Sequence, residues 1–313
     1  MSFNFTRRSF LKTAACCTGA FCTGASALLA DELPREDMAE PDDIWAFVSD
    51  MHISDWAEYP PDCNVRFQSV ITAMLAEPVK PRRLFLLGDN ISSGTQRQYQ
   101  RLLEILRPLV ESGVGVHATL GDHDHREHFR VIREQLLPPP EKRDKSITHT
   151  IRTEPWADGD DKHLEILETK RANFFVLDSN VKANQEEGKF GKNQLDWLAA
   201  ELDQRKDKPA ILMAHHAAAN IGEGGLADAM SFWQLLGARH QVKAYFFGHG
   251  HVWINYRLGR IHQVGFPSTF RCPPLTVLGW VLMTLHDGGA RLTLKTCDPD
   301  HSRNGENVNL KWL

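Results

Sequence analysis

Cysteine is scarce beyond the first thirty residues, where only Cys63, Cys272 and Cys297 follow Cys16, Cys17 and Cys22. An odd number at wide spacing makes no disulfide framework, and the absence of a Cys-x-x-Cys pair argues against a thiolate zinc knot. Positive charge is also in short supply. Residues 1–30 hold Arg7, Arg8 and Lys12 and no acid, which leaves 33 Lys and Arg against 40 Asp and Glu in the remainder. That body, at −7 where the whole chain is −4, is a poor non-specific nucleic-acid binder, and no nucleic-acid partner is expected. An anionic substrate would need a local positive centre such as a metal. A long apolar run is missing too, because residues 13–30 are interrupted by Thr, Ser and Gly and barely reach spanning length. What remains is a chain of 313 residues, 42% hydrophobic and 24% charged. It is ordinary for a globular protein, with room for one large domain or at most two small ones.

The N-terminus has a charged start, a mildly apolar stretch of Ala and Thr, and small residues before the first acids. That layout is an export signal over residues 1–30, with cleavage expected after Ala27 or Ala30. Thr6-Arg7-Arg8-Ser9-Phe10-Leu11-Lys12 looks like a twin-arginine motif. It implies the twin-arginine export machinery as a partner and a periplasmic or other extracytoplasmic location, with membrane anchoring if the signal stays uncleaved. An acidic, Pro-containing linker follows over about 31–43.

From residue 44 onward apolar runs alternate with helical patterns. "IWAFVS" (44–49), "RLFLLG" (83–88) and "VGVHATLG" (114–121) read as strands; 64–77 and 96–112 read as amphipathic helices, and 125–136 as the start of a third. This βαβ order implies an α/β fold with a largely parallel sheet. Residues 137–172 break the rhythm and read as an irregular insertion with a hairpin or two. The alternation resumes with strands at 173–179, 209–215 and 243–248, and helices at 192–205 and 227–238. The end suits antiparallel strands with a hairpin at Asp287-Gly288-Gly289. A single catalytic domain over 44–298 and a tail at 299–313 are expected.

The polar clusters stand at the exits of these strands. They are Asp50-Met51-His52, Gly88-Asp89-Asn90, Gly121-Asp122-His123-Asp124, His215-His216 and Gly248-His249-Gly250-His251. Ligands of open α/β sheets bind beyond the carboxyl ends of strands, so five exits would bring Asp, His and amide groups into one crevice. In Asp50-x-His52 and His249-x-His251, extended i and i+2 side chains point to one side. Mixed carboxylate and imidazole donors suit first-row ions such as Mn, Fe or Zn. Taken alone, any block has an ordinary reading; Asp89 after Gly88, for example, could be a helix cap.

The five blocks, in this order over residues 44–252, resemble the calcineurin-like metallophosphoesterase superfamily. The resemblance implies two facing mixed β-sheets flanked by helices in a four-layer sandwich, with a two-metal centre at the strand ends. Carried over residue by residue, Asp50, His52 and His251 would hold one divalent or trivalent ion and Asp89 would bridge both. Asp122, His215 and His249 would hold the second, with His215 favoured over His216 although the following Pro of the family pattern is absent. His123 would protonate the leaving oxygen, Asp124 would orient and charge it, and Asn90 and His216 would support the loops. The implied chemistry is hydrolysis of a small-molecule or lipid phosphate ester by a metal-bridging hydroxide.

One letter departs from that pattern. Asp122 stands where the family carries Asn, and a carboxylate adds a negative charge to the centre. A unit charge at ~5 Å with an effective dielectric of ~20 corresponds to roughly 3 kcal/mol. The charge should hold the second ion more firmly and repel dianionic monoesters more than monoanionic diesters. A competing reading is a catalytically weak or inactive metal- or ligand-binding protein on the same scaffold, over-neutralised by Asp122. His117, His149, His163 and His262 read as packed residues, while His125 and His128 are candidates to touch substrate. The aromatic loop 56–61 and Arg271 read as ordinary surface, and 217–226 as a candidate gate.

Overall fold

Alternation along each buried strand decides the layering. In the strand Ile44–Val48, Trp45 and Phe47 face one core while Ala46 and Val48 face another, and all four are fully buried. The computed structural model describes residues 43–55, 62–152, 154–157, 161–218, 224–270 and 277–313. All of them belong to one compact unit, Ala39–Leu313. The expected export signal, the linker up to residue 42, the aromatic loop 56–61, Arg271 and residues 219–223 of the candidate gate lie outside the described residues.

Along the chain come β1 (Ile44–Val48), α1 (Cys63–Ala76), β2 (Arg83–Leu87), α2 (Gln96–Glu111), β3 (Gly115–Thr119) and α3 (Arg126–Ile132). They are followed by β4 (Thr148–Arg152), β5 (Leu164–Glu168), β6 (Asn173–Val176), α4 (Lys192–Gln204), β7 (Ala210–Met213), α5 (Ala229–Gly237) and β8 (Val242–Phe247). Five strands complete the order: β9 (Ile254–Leu258), β10 (Ile261–Gly265), β11 (Gly279–His286), β12 (Gly289–Thr296) and β13 (Asn307–Lys311).

The strands form two mixed sheets, one of six in the order β13-β12-β11-β1-β2-β3 and one of seven in the order β4-β5-β6-β7-β8-β10-β9. Pairing is parallel through β1-β2-β3 and through β6-β7-β8-β10, and antiparallel toward the edges. Three hydrophobic cores separate the layers. Phe67, Val70, Ile71 and Met74 of α1, with Leu102, Leu106 and Leu109 of α2, pack on one face of the first sheet. Their three- and four-residue spacing is the helical stripe read from the sequence. Trp45, Phe47, Phe85, Phe174, Phe246 and Phe266 fill the space between the sheets. Leu195, Leu198 and Leu202 of α4 and Phe232 and Leu236 of α5 cover the outer face of the second sheet. The arrangement is the α/β four-layer sandwich of two facing mixed sheets that the resemblance implies.

Local differences have simple causes. The span read as one irregular insertion, 137–172, supplies the antiparallel pair β4-β5, which extends the second sheet. The stretch 299–313, set apart as a tail, contributes β13 at the edge of the first sheet. Its residues Asn307–Lys311 alternate exposed and less exposed positions with only Leu310 buried, so the hydrophobic signal was too thin to mark a strand.

Candidate active site

The parallel strands of both sheets end at the same rim. Past the last residues of β1 and β2 the pairing continues through the loops. Asp50 N donates to Gly88 O (3.1 Å), His52 N to Asp89 O (2.9 Å) and Ile53 N to Asn90 O (3.2 Å). From the second sheet, Gly248 N donates to His215 O at 3.0 Å. These bonds fix the side chains that leave the strand ends, and the turns that do so are strained. Among the described residues, six non-glycine positions have positive φ, and five of them are Asp50, His52, Asp89, His249 and His251, at 51, 47, 47, 59 and 53°. The left-handed region costs such residues of order 1–3 kcal/mol each. The strain is concentrated on these candidate donors. Gly88, at φ 87°, turns sharply with no room for a Cβ, which would run into the His215 ring.

Two donor sets meet at this rim. Asp89, Asp122, His215 and His249 each offer an atom within 4.8 Å of the others, and so do Asp50, His52 and His251. In the first set His215 Nε2 lies 3.4 Å from Asp89 Oδ1 and 3.3 Å from Asp122 Oδ1, and His249 Nδ1 lies 3.2 Å from the same Asp122 oxygen. In the second set His251 Nε2 lies 3.4 Å from Asp50 Oδ1. Asp89 joins the sets, for its other oxygen is 3.5 Å from His52 Nε2. A third grouping of His52, Asp89 and His123 shares that junction.

His215 therefore stands within the cluster and His216 beside it. The His216 Nδ1 pairs with the Ser179 hydroxyl at 2.7 Å and its ring lies 4.9 Å from that of His249. Asn90 donates through Nδ2 to Thr119 O (3.0 Å) and Asp124 Oδ2 (2.9 Å), tying two strand-exit loops together.

Of the two parts expected of Asp124, charging and orienting His123, its charge does help hold the His123 imidazole above its ordinary value, while its hydrogen bonds go elsewhere. Its carboxylate accepts from Tyr99 OH (3.0 Å), Asn90 N (3.2 Å), Asn90 Nδ2 and Gly121 N (2.9 Å), so its hydrogen bonds hold the loop. The His123 ring is oriented by the Ser92 carbonyl, 2.7 Å from Nδ1. Burial, followed by the charge of Asp89, pushes the Asp124 carboxyl up to about 7. His125 and His128 stack on each other at 4.1 Å, and His128 Nδ1 contacts Gly94 O at 2.6 Å.

Sequence reading missed a supporting frame for the signature loop. Asn180 Nδ2 donates to Gly121 O (2.5 Å) and Asp124 O (2.9 Å). Arg126 holds Asp178 through Nε at 2.7 Å and donates to Asn180 O at 2.6 Å. The only available signal was the polar run Asp178-Ser179-Asn180 directly after an apolar strand, the same placement that identified the other blocks.

The electrostatics divide the cluster. Burial, helped by the nearby His123 and His251 imidazoles, pulls the His52 imidazole down to about 4, with Asp89 and Asp50 only partly opposing it. Burial raises Asp89 and Asp122, but the neighbouring imidazoles outweigh it and hold both carboxyls well below the usual range. For His123 burial also works against charge, yet Asp89, the Ser92 carbonyl and Asp122 prevail and hold the imidazole above its ordinary value.

The calcineurin-like phosphoesterase model matches residues 46–253, which spans every block of the site. The chain belongs to this family. It is 25% identical over 238 residues to the 3',5'-cyclic adenosine monophosphate phosphodiesterase CpdA of Vibrio vulnificus, covering 71% of this chain and 77% of that protein. It is 26% identical over 231 residues to a probable cyclic nucleotide phosphodiesterase of Synechococcus, covering 70% and 78%. A dimetal phosphatase from Danio rerio shares the fold at TM-score 0.62 and 13% identity, over 88% of this chain and 100% of that one. So does GAP50, described as the anchor in the inner membrane complex of Plasmodium, at TM-score 0.51 and 12% identity, over 86% and 89%.

The donors fit metal ions on their own chemistry. They are hard carboxylate oxygens and imidazole nitrogens without a thiolate. Both ring nitrogens of the buried His52 lack a hydrogen-bond partner, as expected of a side chain shaped for a ligand other than protein.

Proposed function

We propose that this protein is an exported, metal-dependent phosphodiesterase with two ions in the crevice at the strand ends. One observation carries the reading: two Asp/His donor sets joined through Asp89, with His123 at their edge. Asp50, His52 and His251 would hold one ion, Asp122, His215 and His249 the other, and Asp89 both; Mn, Fe and Zn suit these donors. Bound ions of this kind supply Lewis-acid charge that activates water and binds phosphoryl oxygens.

The chain's own part is positioning and proton transfer. A carbonyl only accepts, so the Ser92 contact fixes a proton on His123 Nδ1. The cationic form, favoured by the surrounding carboxylates, carries its second proton on Nε2, 3.7 Å from Asp122 Oδ2. The ring is 33% exposed, so that proton can reach a leaving alkoxide in the crevice. Asp122 places added negative charge where a dianionic monoester would approach, which favours a monoanionic diester. The phosphodiesterase names of the curated relatives support the same preference, and they make cyclic nucleotides the first diesters to assay.

Turnover of cyclic AMP, bis-p-nitrophenyl phosphate and p-nitrophenyl phosphate by manganese-loaded protein tests the reading. Faster hydrolysis of the diesters is expected; a clear monoester preference would overturn the substrate assignment.

A second reading, a binding protein on the same scaffold, draws on Asp122 and on the occurrence of the fold in a protein described as an anchor. The poised His123 disfavours it, since a binding module has no use for a proton donor. Export rests on the twin-arginine motif, and replacing Arg7 and Arg8 by lysine should retain the protein in the cytoplasm; unchanged export would refute it.

A further inference from the structure

Beyond the strand-exit donors, a second group of titratable side chains closes the seam between the two sheets. His117 lies in the middle of β3, the edge strand of the first sheet, with its ring 5.6 Å from that of Phe85. His149 lies on β4 and Glu165 on β5, at one edge of the second sheet. His117 Nδ1 is 2.6 Å and His149 Nε2 2.7 Å from the same oxygen, Oε2 of Glu165. The three atoms lie within 4.8 Å of one another. The other carboxylate oxygen is held by His163 Nε2 at 2.8 Å.

Glu165 is 3% exposed, and among the described residues its ion pairs are with imidazoles alone. A carboxylate taken out of water needs compensating charge, and among the described residues no Lys or Arg is ion-paired with it. Two imidazoles from different sheets converge on one of its oxygens, which makes a compact donor triangle on three rigid strands. His163 bonds the far oxygen, as groups around a metal-ligating carboxylate do. His149, with its side chain 20% exposed, opens the triangle to solvent and provides an entry path.

We infer that His117 Nδ1, His149 Nε2 and Glu165 Oε2 form a third metal site, one that staples the edges of the two sheets together. Two imidazoles and a carboxylate suit zinc and related first-row divalent ions, with water completing the coordination. Binding through Nδ1 places the remaining His117 proton on Nε2, a buried atom without a partner. The site is therefore weaker than the strand-exit centre and fills after it. Its role is architectural, because β3 leads directly into the loop that carries Asp122 and His123.

The test is the number of zinc ions per chain after equilibrium dialysis at rising free zinc, for the wild-type protein, His149→Ala and Glu165→Gln. The expected result is one ion fewer in both variants, with the missing ion the weakest of the wild type and ester hydrolysis retained. Equal ion numbers in all three proteins would overturn the inference and leave a proton as the charge partner of Glu165. Far-UV circular dichroism checks folding, and His149→Ala, on an edge strand and partly exposed, carries the test alone if Glu165→Gln fails to fold. The readout is a difference of one ion, so it stands whether or not the strand-exit centre performs the proposed hydrolysis.

Discussion

Asp122 touches three functional groups at once. One oxygen lies 3.2 Å from His249 Nδ1 and 3.3 Å from His215 Nε2, and the other lies 3.7 Å from His123 Nε2. Under the proposed reading its extra charge would therefore act on both the second ion and the proton donor. Replacing Asp122 by Asn should raise monoester turnover relative to diester turnover, by up to about two decades, the limit for a unit charge at ~5 Å and an effective dielectric of ~20. The same change removes a charge that holds the His123 pKa up. The basic limb of the pH–rate profile, where His123 loses its proton, should then move to lower pH. An unchanged ester ratio with both ions retained would contradict the charge account. A stationary basic limb would separate Asp122 from the proton donor.

At the scale of elements, the helix that follows the signature loop is tied to the second sheet by charge. Arg126, the first residue of α3, grips Asp178 just beyond β6, and Asp178 also accepts from His163 N (2.9 Å) and Asn180 N (3.0 Å). Burial raises the Asp178 carboxyl, but Arg126 and Lys162 outweigh it and depress its pKa below the usual carboxylate range. A depressed folded pKa gives stability that is present above the unfolded value, about 3.9, and is lost as pH falls through the folded value. Asp178→Asn should cost about 3–5 kcal/mol at neutral pH, the penalty for breaking a buried pair, and should flatten the loss below about pH 4. Urea melts of chelator-treated wild type and variant at neutral and acid pH check this; parallel acid limbs would contradict it.

None of this tie was legible in sequence, because Arg126 and Asp178 are 52 positions apart and nothing in either neighbourhood marks the pairing. The helices and central strands were legible, because their apolar spacing survives without tertiary context. The strand-exit donors were legible because Asp and His residues, at three of the five exits beside glycine, follow each apolar run. The partner of the His123 ring was not, since the Ser92 group that orients it is a backbone carbonyl, which every residue has.

Across the whole molecule, two sheets present their parallel strand ends to one rim, and neither sheet holds the donor set alone. β1, β2 and β3 lead to Asp50, His52, Asp89 and Asp122, whereas β7 and β8 lead to His215, His249 and His251. The aromatic core between the sheets, with Phe47 and Phe246 at 5.3 Å and Trp45 and Phe174 at 4.5 Å, holds the halves of the site in register. In this account the fold assembles the charge and His123 delivers the proton. The most direct test compares diester turnover by His123→Ala and wild-type protein, with bound metal counted in the same samples. The account predicts a loss of about two to four decades at unchanged metal content. Turnover equal to wild type at full metal content would contradict it.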